Sequence, residues 1–213
     1  MDTRYDNNEQ VLTWEELIFH YNSALKEVGT KLEILNDEFQ HIHQYNPIEH
    51  IKSRIKSPES IVRKLKRKGY ESTLENMVEH VNDIAGIRII CSFSSDIYRI
   101  ADMLSKQNDL KVLSVKDYIA KPKDSGYKSY HMIVSVPIFL SDSVVETKVE
   151  IQIRTIAMDF WASLEHKMNY KFDKNAPEEI RQQLYECSQM VAVLDEQMLL
   201  INEKIQKANS ESK

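Results

Sequence analysis

Val149-Glu150-Ile151-Gln152-Ile153-Arg154 alternates apolar and polar residues, within a stretch over 144–155 that reads as a strand. Period 2 puts Val149, Ile151 and Ile153 on a core face and Glu150, Gln152 and Arg154 on the other. A carboxylate, an amide and a guanidinium in a row offer a base or metal ligand, a hydrogen-bonding arm and an anion clamp. A solvated strand face carries the same pattern, so the rest of the chain has to decide.

Outward from this run, 84–93, 110–119 and 127–136 also read as strands. Ser57-Pro58 opens a short helix, with Ser57 as N-cap and Pro58 at its first position. Further helices are expected over 73–80, from Ser94 to about 106, and over 156–170, where Phe160, Trp161 and Leu164 read as core. The expected class is α+β, a mixed sheet of about four to five strands flanked by helices. Both ends carry heptads. Tyr21, Val28, Leu35 and Ile42, with Leu25, Leu32 and Phe39, mark a helix over 12–44. Leu184, Val191, Met198 and Ile205, with Cys187, Leu194 and Ile201, mark another over 177–207. Residues 1–213 read as a single domain with its core at 45–170, and 208–213 are expected to fray. The two stripes look too long for one small core, which favours an oligomer over an intrachain helix pair.

With 42% hydrophobic residues the chain has enough apolar material for a soluble core. No apolar run approaches the ~18 residues of a membrane span, and residues 1–10 do not resemble a secretory signal. Cys91 and Cys187 read as buried, reduced thiols of a cytoplasmic protein. A net charge of −5 argues against a general nucleic-acid coat. The four glycines, at 29, 69, 86 and 126, stand too far apart to write a GxGxxG or Walker A loop. Phosphates would have to be held by cationic side chains and a helix terminus.

Three other clusters carry chemistry. Residues 52–68 hold eight Lys or Arg against one acid, Glu59. Lys56, Ser60 and Lys64 are four apart, beside a helix N-terminus that favours an anion. A solvated basic face is the alternative. In Asp83-Ile84-Ala85-Gly86-Ile87-Arg88, a carboxylate at a strand edge suits Mg2+ or a turn. Arg88, inside an apolar strand, needs an ion-pair partner or a base to stack on. In the segment from Lys121 to His131, a basic loop turns at Ser125-Gly126, and Tyr127, Ser129 and His131 then share a face. His41-x-His43 points its rings in different directions on a helix, a poor zinc site.

In order and spacing these residues resemble the RelA/SpoT (p)ppGpp synthetase family, specifically its small stand-alone members of the RelP-type branch. The resemblance rests on Ser53-Arg54-Ile55-Lys56 with Ser60-Ile61, Asp83 to Ile89, Gly126 to His131 and Glu150 to Thr155. It implies a nucleotidyltransferase-like synthetase fold and transfer of the β,γ-pyrophosphate of ATP to the 3′-hydroxyl of GTP or GDP, releasing AMP. By resemblance, Arg54 and Arg88 sandwich the adenine, and Lys56, Ser60, Lys64 and Arg67 hold the ATP phosphates. Asp83 and Glu150 hold Mg2+, and Glu150 takes the 3′-OH proton. Tyr127 stacks on guanine, Lys121, Lys123 and His131 meet the acceptor's phosphates, and Gln152 and Arg154 complete the cleft. Asp159 stands where the small members often carry Asn, and a carboxylate there still offers guanine an acceptor.

The long family members add a hydrolase with a His-Asp dipeptide. None of the seven histidines here precedes an Asp, which implies synthesis without hydrolysis. The resemblance further implies a homotetramer, and leaves an allosteric alarmone or single-stranded RNA ligand open. Two other functions stay in play. One is a related toxin that pyrophosphorylates an adenine nucleotide or tRNA; the other is a non-catalytic RNA-binding module.

Overall fold

A capping box at Thr13 opens the first helix. Thr13 Oγ1 accepts from Glu16 N at 3.2 Å and Glu16 Oε2 accepts from Thr13 N at 2.8 Å. The computed structural model describes residues 13–171 and 176–211. Helix α1 (Trp14–His43) ends at Gln44, which adopts the left-handed conformation. Then follow β1 (Ile48–Ile55), α2 (Pro58–Lys68), α3 (Leu74–His80), β2 (Ala85–Cys91), α4 (Ser94–Ser105), β3 (Lys111–Asp117), β4 (Tyr130–Phe139), β5 (Val144–Thr155), α5 (Ile156–Lys171) and α6 (Glu178–Glu211).

The sheet has five strands in the order β1-β2-β5-β4-β3. Only β2 and β5 run parallel; the other pairs are antiparallel. The added strand is β1, which runs into the start of the basic segment. Its apolar residues Ile48, Ile51 and Ile55 are spaced like a helix because a register shift falls between Ile48 and His50. It is an edge strand, so most of its residues face water and alternation is weak.

One face of the sheet is the core. Ile87, Ile89, Met132, Val134, Val149, Ile151 and Ile153 pack with Leu17, Tyr21, Ala24, Leu25, Val28 and Leu32 of α1. The heptad stripe of α1 is therefore mostly spent on its own sheet, with Leu35 packed at the core's margin and Ile42 exposed. On the opposite face, Gly86, Arg88, Glu150 and Gln152 stay half-buried. Helix α5 starts where β5 stops, with Thr155 Oγ1 accepting from Met158 N at 3.1 Å. Trp161 Nε1 donates to Leu184 O at 2.9 Å and ties α5 to α6.

Three expectations need correction. Phe160 and Leu164 are exposed and only Trp161 is core, because the helix turns a different stripe inward. Cys187 is exposed, whereas Cys91 is buried. Residues 208–211 continue α6 instead of fraying, while 212–213 lie outside the described residues. The heptads of α6 split: Val191 turns inward, but Leu194, Met198, Ile201 and Ile205 are about half exposed.

Candidate active site

Strand register assembles the site. Arg54 lies across from Gly86, which lies across from Glu150. One step along, Arg88 pairs with Gln152, and Gln152 with His131. Residues from four separate segments thus meet on one face. They line a cleft of about 580 Å3 with Asp83, Lys123, Tyr127 and Arg154, a size that suits small ligands.

At one end, Asp83 is clamped between two lysines, with Lys56 Nζ at 2.8 Å and Lys64 Nζ at 2.7 Å. Burial pushes its carboxyl up, but the two ammonium groups outweigh burial and hold it below its ordinary value. Lys56 precedes α2 and does not ride on its face; the shared carboxylate, not helical spacing, brings it to Lys64. Ser60 Oγ accepts from Ser57 Oγ at 3.0 Å and from Arg63 at 3.3 Å at the head of the helix. Lys56, Ser60, Lys64, Arg67 and Lys121 do not line the cleft; Lys56 and Lys64 adjoin it through Asp83.

In the middle, Glu150 Oε2 accepts from Gln152 Nε2 at 2.8 Å, and His131 Nδ1 lies 3.5 Å from Oε1. Burial raises the carboxyl, yet His131 and Gln152 bring it below its ordinary value, against a smaller push from the charge of Asp83. Glu150 is thus anionic at neutral pH. Asp83 and Glu150 line one cleft and feel each other's charge. Two carboxylates beside a pair of lysines are a donor set that would suit Mg2+, which takes few protein ligands and completes its shell with other oxygens.

At the other end, Arg154 is a buried hub. It donates to Ser129 Oγ (3.2 Å), Tyr127 Oη (2.5 Å), Gln152 Oε1 (3.1 Å) and Asp159 Oδ1 (3.0 Å). Arg154 lines the cleft as alternation predicts, but it is only 4% exposed and braces the residues around it. Tyr127 Oη also meets His131 Nε2 at 2.9 Å. Asp159 sits beneath the cleft, not on its lining. The same oxygen that binds Arg154 is 3.3 Å from Arg88 Nη1. A bridge between two guanidinium groups explains a carboxylate here without a base contact. Arg88 keeps a buried Nε with no hydrogen-bond partner among the described residues, a donor for a ligand to satisfy.

Two sets of residues, one on the cleft and one behind its aromatic residues, escape sequence reading. Ser163, His166 and Lys167 line the cleft from α5. Their spacing of four, seven and eight from Asp159 marks one helical face, a signal hidden by attention to the aromatic residues. Tyr118 reaches Tyr127 and His131, at 6.1 and 5.2 Å between ring centroids, through a turn that local periodicity does not reveal.

The expected turn at Ser125-Gly126 depends on Gly126. Its φ is +86°, and a Cβ there would lie 2.0 Å from Ser188 Oγ of α6. Gly126→Ala is expected to cost about 1–3 kcal/mol through overpacking and left-handed backbone strain. A thermal melt should show the lowered Tm, together with weaker acceptor binding. An unchanged Tm would mean that α6 does not press on this loop.

The chain is similar to known proteins over nearly its whole length. Residues 53–175 match the model described as the region found in RelA/SpoT proteins. The GTP pyrophosphokinase YwaC of Bacillus subtilis is 48% identical over 204 residues, covering 95% of this chain and 97% of that one. The crystal structure of small alarmone synthetase 2 from Bacillus subtilis superposes with a TM-score of 0.82 at 48% identity, covering 90% of this chain and 98% of the other. That of small alarmone synthetase 1 from the same organism, bound to its product pppGpp, gives 0.83 at 38% identity, covering 91% and 98%. The match over residues 53–175, with 48% identity to a relative across nearly all of both chains, places the chain in the RelA/SpoT family of (p)ppGpp synthetases.

Proposed function

We infer that this chain is a GTP/GDP pyrophosphokinase that transfers the β,γ-pyrophosphate of ATP to the 3′-hydroxyl of GTP or GDP, makes (p)ppGpp, releases AMP and carries out no hydrolysis. One observation carries this reading. Glu150 lies in the sheet between a cationic end, with Arg54, Arg88 and the Lys56–Lys64 pair, and an aromatic end, with Tyr127 and His131. A donor with a polyphosphate tail suits the first end and a purine acceptor the second. The reacting 3′-oxygen then falls near Glu150.

In the reaction, the acceptor's 3′-oxygen attacks the β-phosphorus of ATP and the bond from that phosphorus to the α,β-bridging oxygen breaks. AMP leaves with that bridging oxygen, and the 3′-OH proton passes to Glu150. Lys56 and Lys64 exchange Asp83 for the phosphate oxygens, which frees Asp83. Asp83 and Glu150 are then the residues to hold Mg2+, which supplies charge neutralisation on the transferred group. A loose phosphoryl transition state asks for positioning and charge more than for a strong base, so a carboxylate of low pKa suffices at Glu150. The assay is ATP with GTP, GDP, ADP or tRNA, followed by chromatography of the products. AMP with a 3′-pyrophosphorylated guanine nucleotide supports the reading. Labelled ADP or tRNA would instead select the toxin, and no product the non-catalytic module.

We also propose a cytoplasmic homotetramer. The support is the outer stripe of α6, Met190, Leu194, Met198, Ile201 and Ile205, each at least half exposed. Such a continuous apolar face is unusual on a monomer, and closed symmetry favours a dimer of dimers. Leu194→Lys is expected to split the assembly and leave the fold intact, because Leu194 is 56% exposed. Leu35→Lys should instead destabilise the fold, since Leu35 packs against the core. Light scattering that gives a wild-type monomer at micromolar concentration would refute the assembly. No helix among the described residues is long and apolar enough to cross a membrane.

A further inference from the structure

The aromatic end of the cleft already holds a cation. Lys123 Nζ is 4.7 Å from the ring centroid of Tyr118 and 4.6 Å from that of Tyr127. The two rings stand 69° to each other, so the ammonium sits in the angle between them. Among the described residues it has no hydrogen bond or ion pair, only the rings. Arg154 also lies over Tyr127, at 5.0 Å, but it is buried and tied to four partners. A purine that stacks on Tyr127 competes for the same ring, and the exposed lysine is the group that can give way. Only its side chain has to move. The backbone is fixed by Lys123 N–H donating to Tyr127 O at 3.2 Å and Gly126 N–H donating to Lys123 O at 2.8 Å.

We propose that Lys123 is a resident cation of the acceptor subsite. Without acceptor it fills the angle between Tyr118 and Tyr127; when the base enters, it leaves the rings and takes up the acceptor's phosphates. The inference rests on the pyrophosphokinase reading above and assigns Tyr118 a role in that same subsite. A nucleoside must displace the ammonium and offers it nothing in return. A nucleotide replaces the lost ring contact with a charge-assisted one. Lys123 therefore discriminates against unphosphorylated purines as well as binding phosphorylated ones, a penalty built against the wrong ligand.

The test is competition of guanosine and of GDP against a fluorescent GDP analogue, on the full chain. Lys123→Ala is expected to bind guanosine about two- to fivefold more tightly, the worth of an exposed cation–π contact, and to bind GDP more weakly. Lys123→Arg should bind guanosine more weakly than wild type, because a guanidinium stacks more firmly on rings. In the Tyr118→Leu background the gain from Lys123→Ala should shrink, since one ring is already gone. Guanosine affinity that is unchanged or lower in Lys123→Ala overturns the inference, as does guanosine that competes with none of these chains. A wild type that fails to bind GDP would instead overturn the acceptor assignment itself.

Discussion

Glu150→Gln is expected to bind both nucleotides near wild-type affinity and to lose turnover by at least ~100-fold. The amide is isosteric, so the hydrogen bond to Gln152 and the cleft shape persist. What disappears is a negative charge at the centre of the sheet. The amide neither accepts the 3′-OH proton nor holds Mg2+ well. A split between binding and turnover distinguishes this role from a structural one. Binding by titration calorimetry and single-turnover rates measure the two separately. Turnover within a few-fold of wild type would remove Glu150 from the reaction.

Asp83→Asn should be nearly as severe, with a different signature. Loss of a ligand to Mg2+ is worth several kcal/mol, so turnover should fall at least ~100-fold. The Mg2+ concentration for half-maximal rate should rise. Lys56 and Lys64 would lose their shared counter-ion, at a cost of about 1.5–3 kcal/mol in stability. The freed ammonium groups should hold metal-free ATP at least as well as wild type, whereas Lys64→Ala should hold it less well. The pH dependence follows from the same pair. Asp83's folded pKa is lowered, so its stabilisation is present above the ordinary value of 3.8 and lost as pH falls through the folded value. Acid unfolding should therefore be less steep in Asp83→Asn than in wild type. An unchanged Mg2+ requirement would show that Asp83 serves only as the lysines' counter-ion.

Much of this molecule is legible locally. Period 2 alone places β5 at 144–155, the bounds observed, because the strand is central and buried on one face. Ser57-Pro58 starts α2 as expected, because capping chemistry depends on neighbouring residues only. The heptads mark both terminal helices, since a stripe is a property of the helix itself.

What the stripes cover is a different matter. Nothing along the sequence says that α1 spends its stripe on the sheet while α6 leaves much of its own outside; that depends on which faces the topology brings together. β1 hides because its bulge gives isoleucines a helical spacing. Arg154 occupies a cleft-facing position in the alternation, yet the start of α5 delivers Asp159, and the turn before β4 delivers Tyr127 and Ser129, to bury it. Lys56 and Lys64 meet through Asp83, which is 19 residues beyond Lys64. Local periodicity and capping are written in consecutive residues and can be read from them. The partner of each buried charge comes from another segment, because a guanidinium or carboxylate removed from water needs its counter-charge wherever the fold supplies it. The sequence thus determines the elements and the family's chemistry, and the tertiary structure decides which charged groups reach substrate and which hold the others in place.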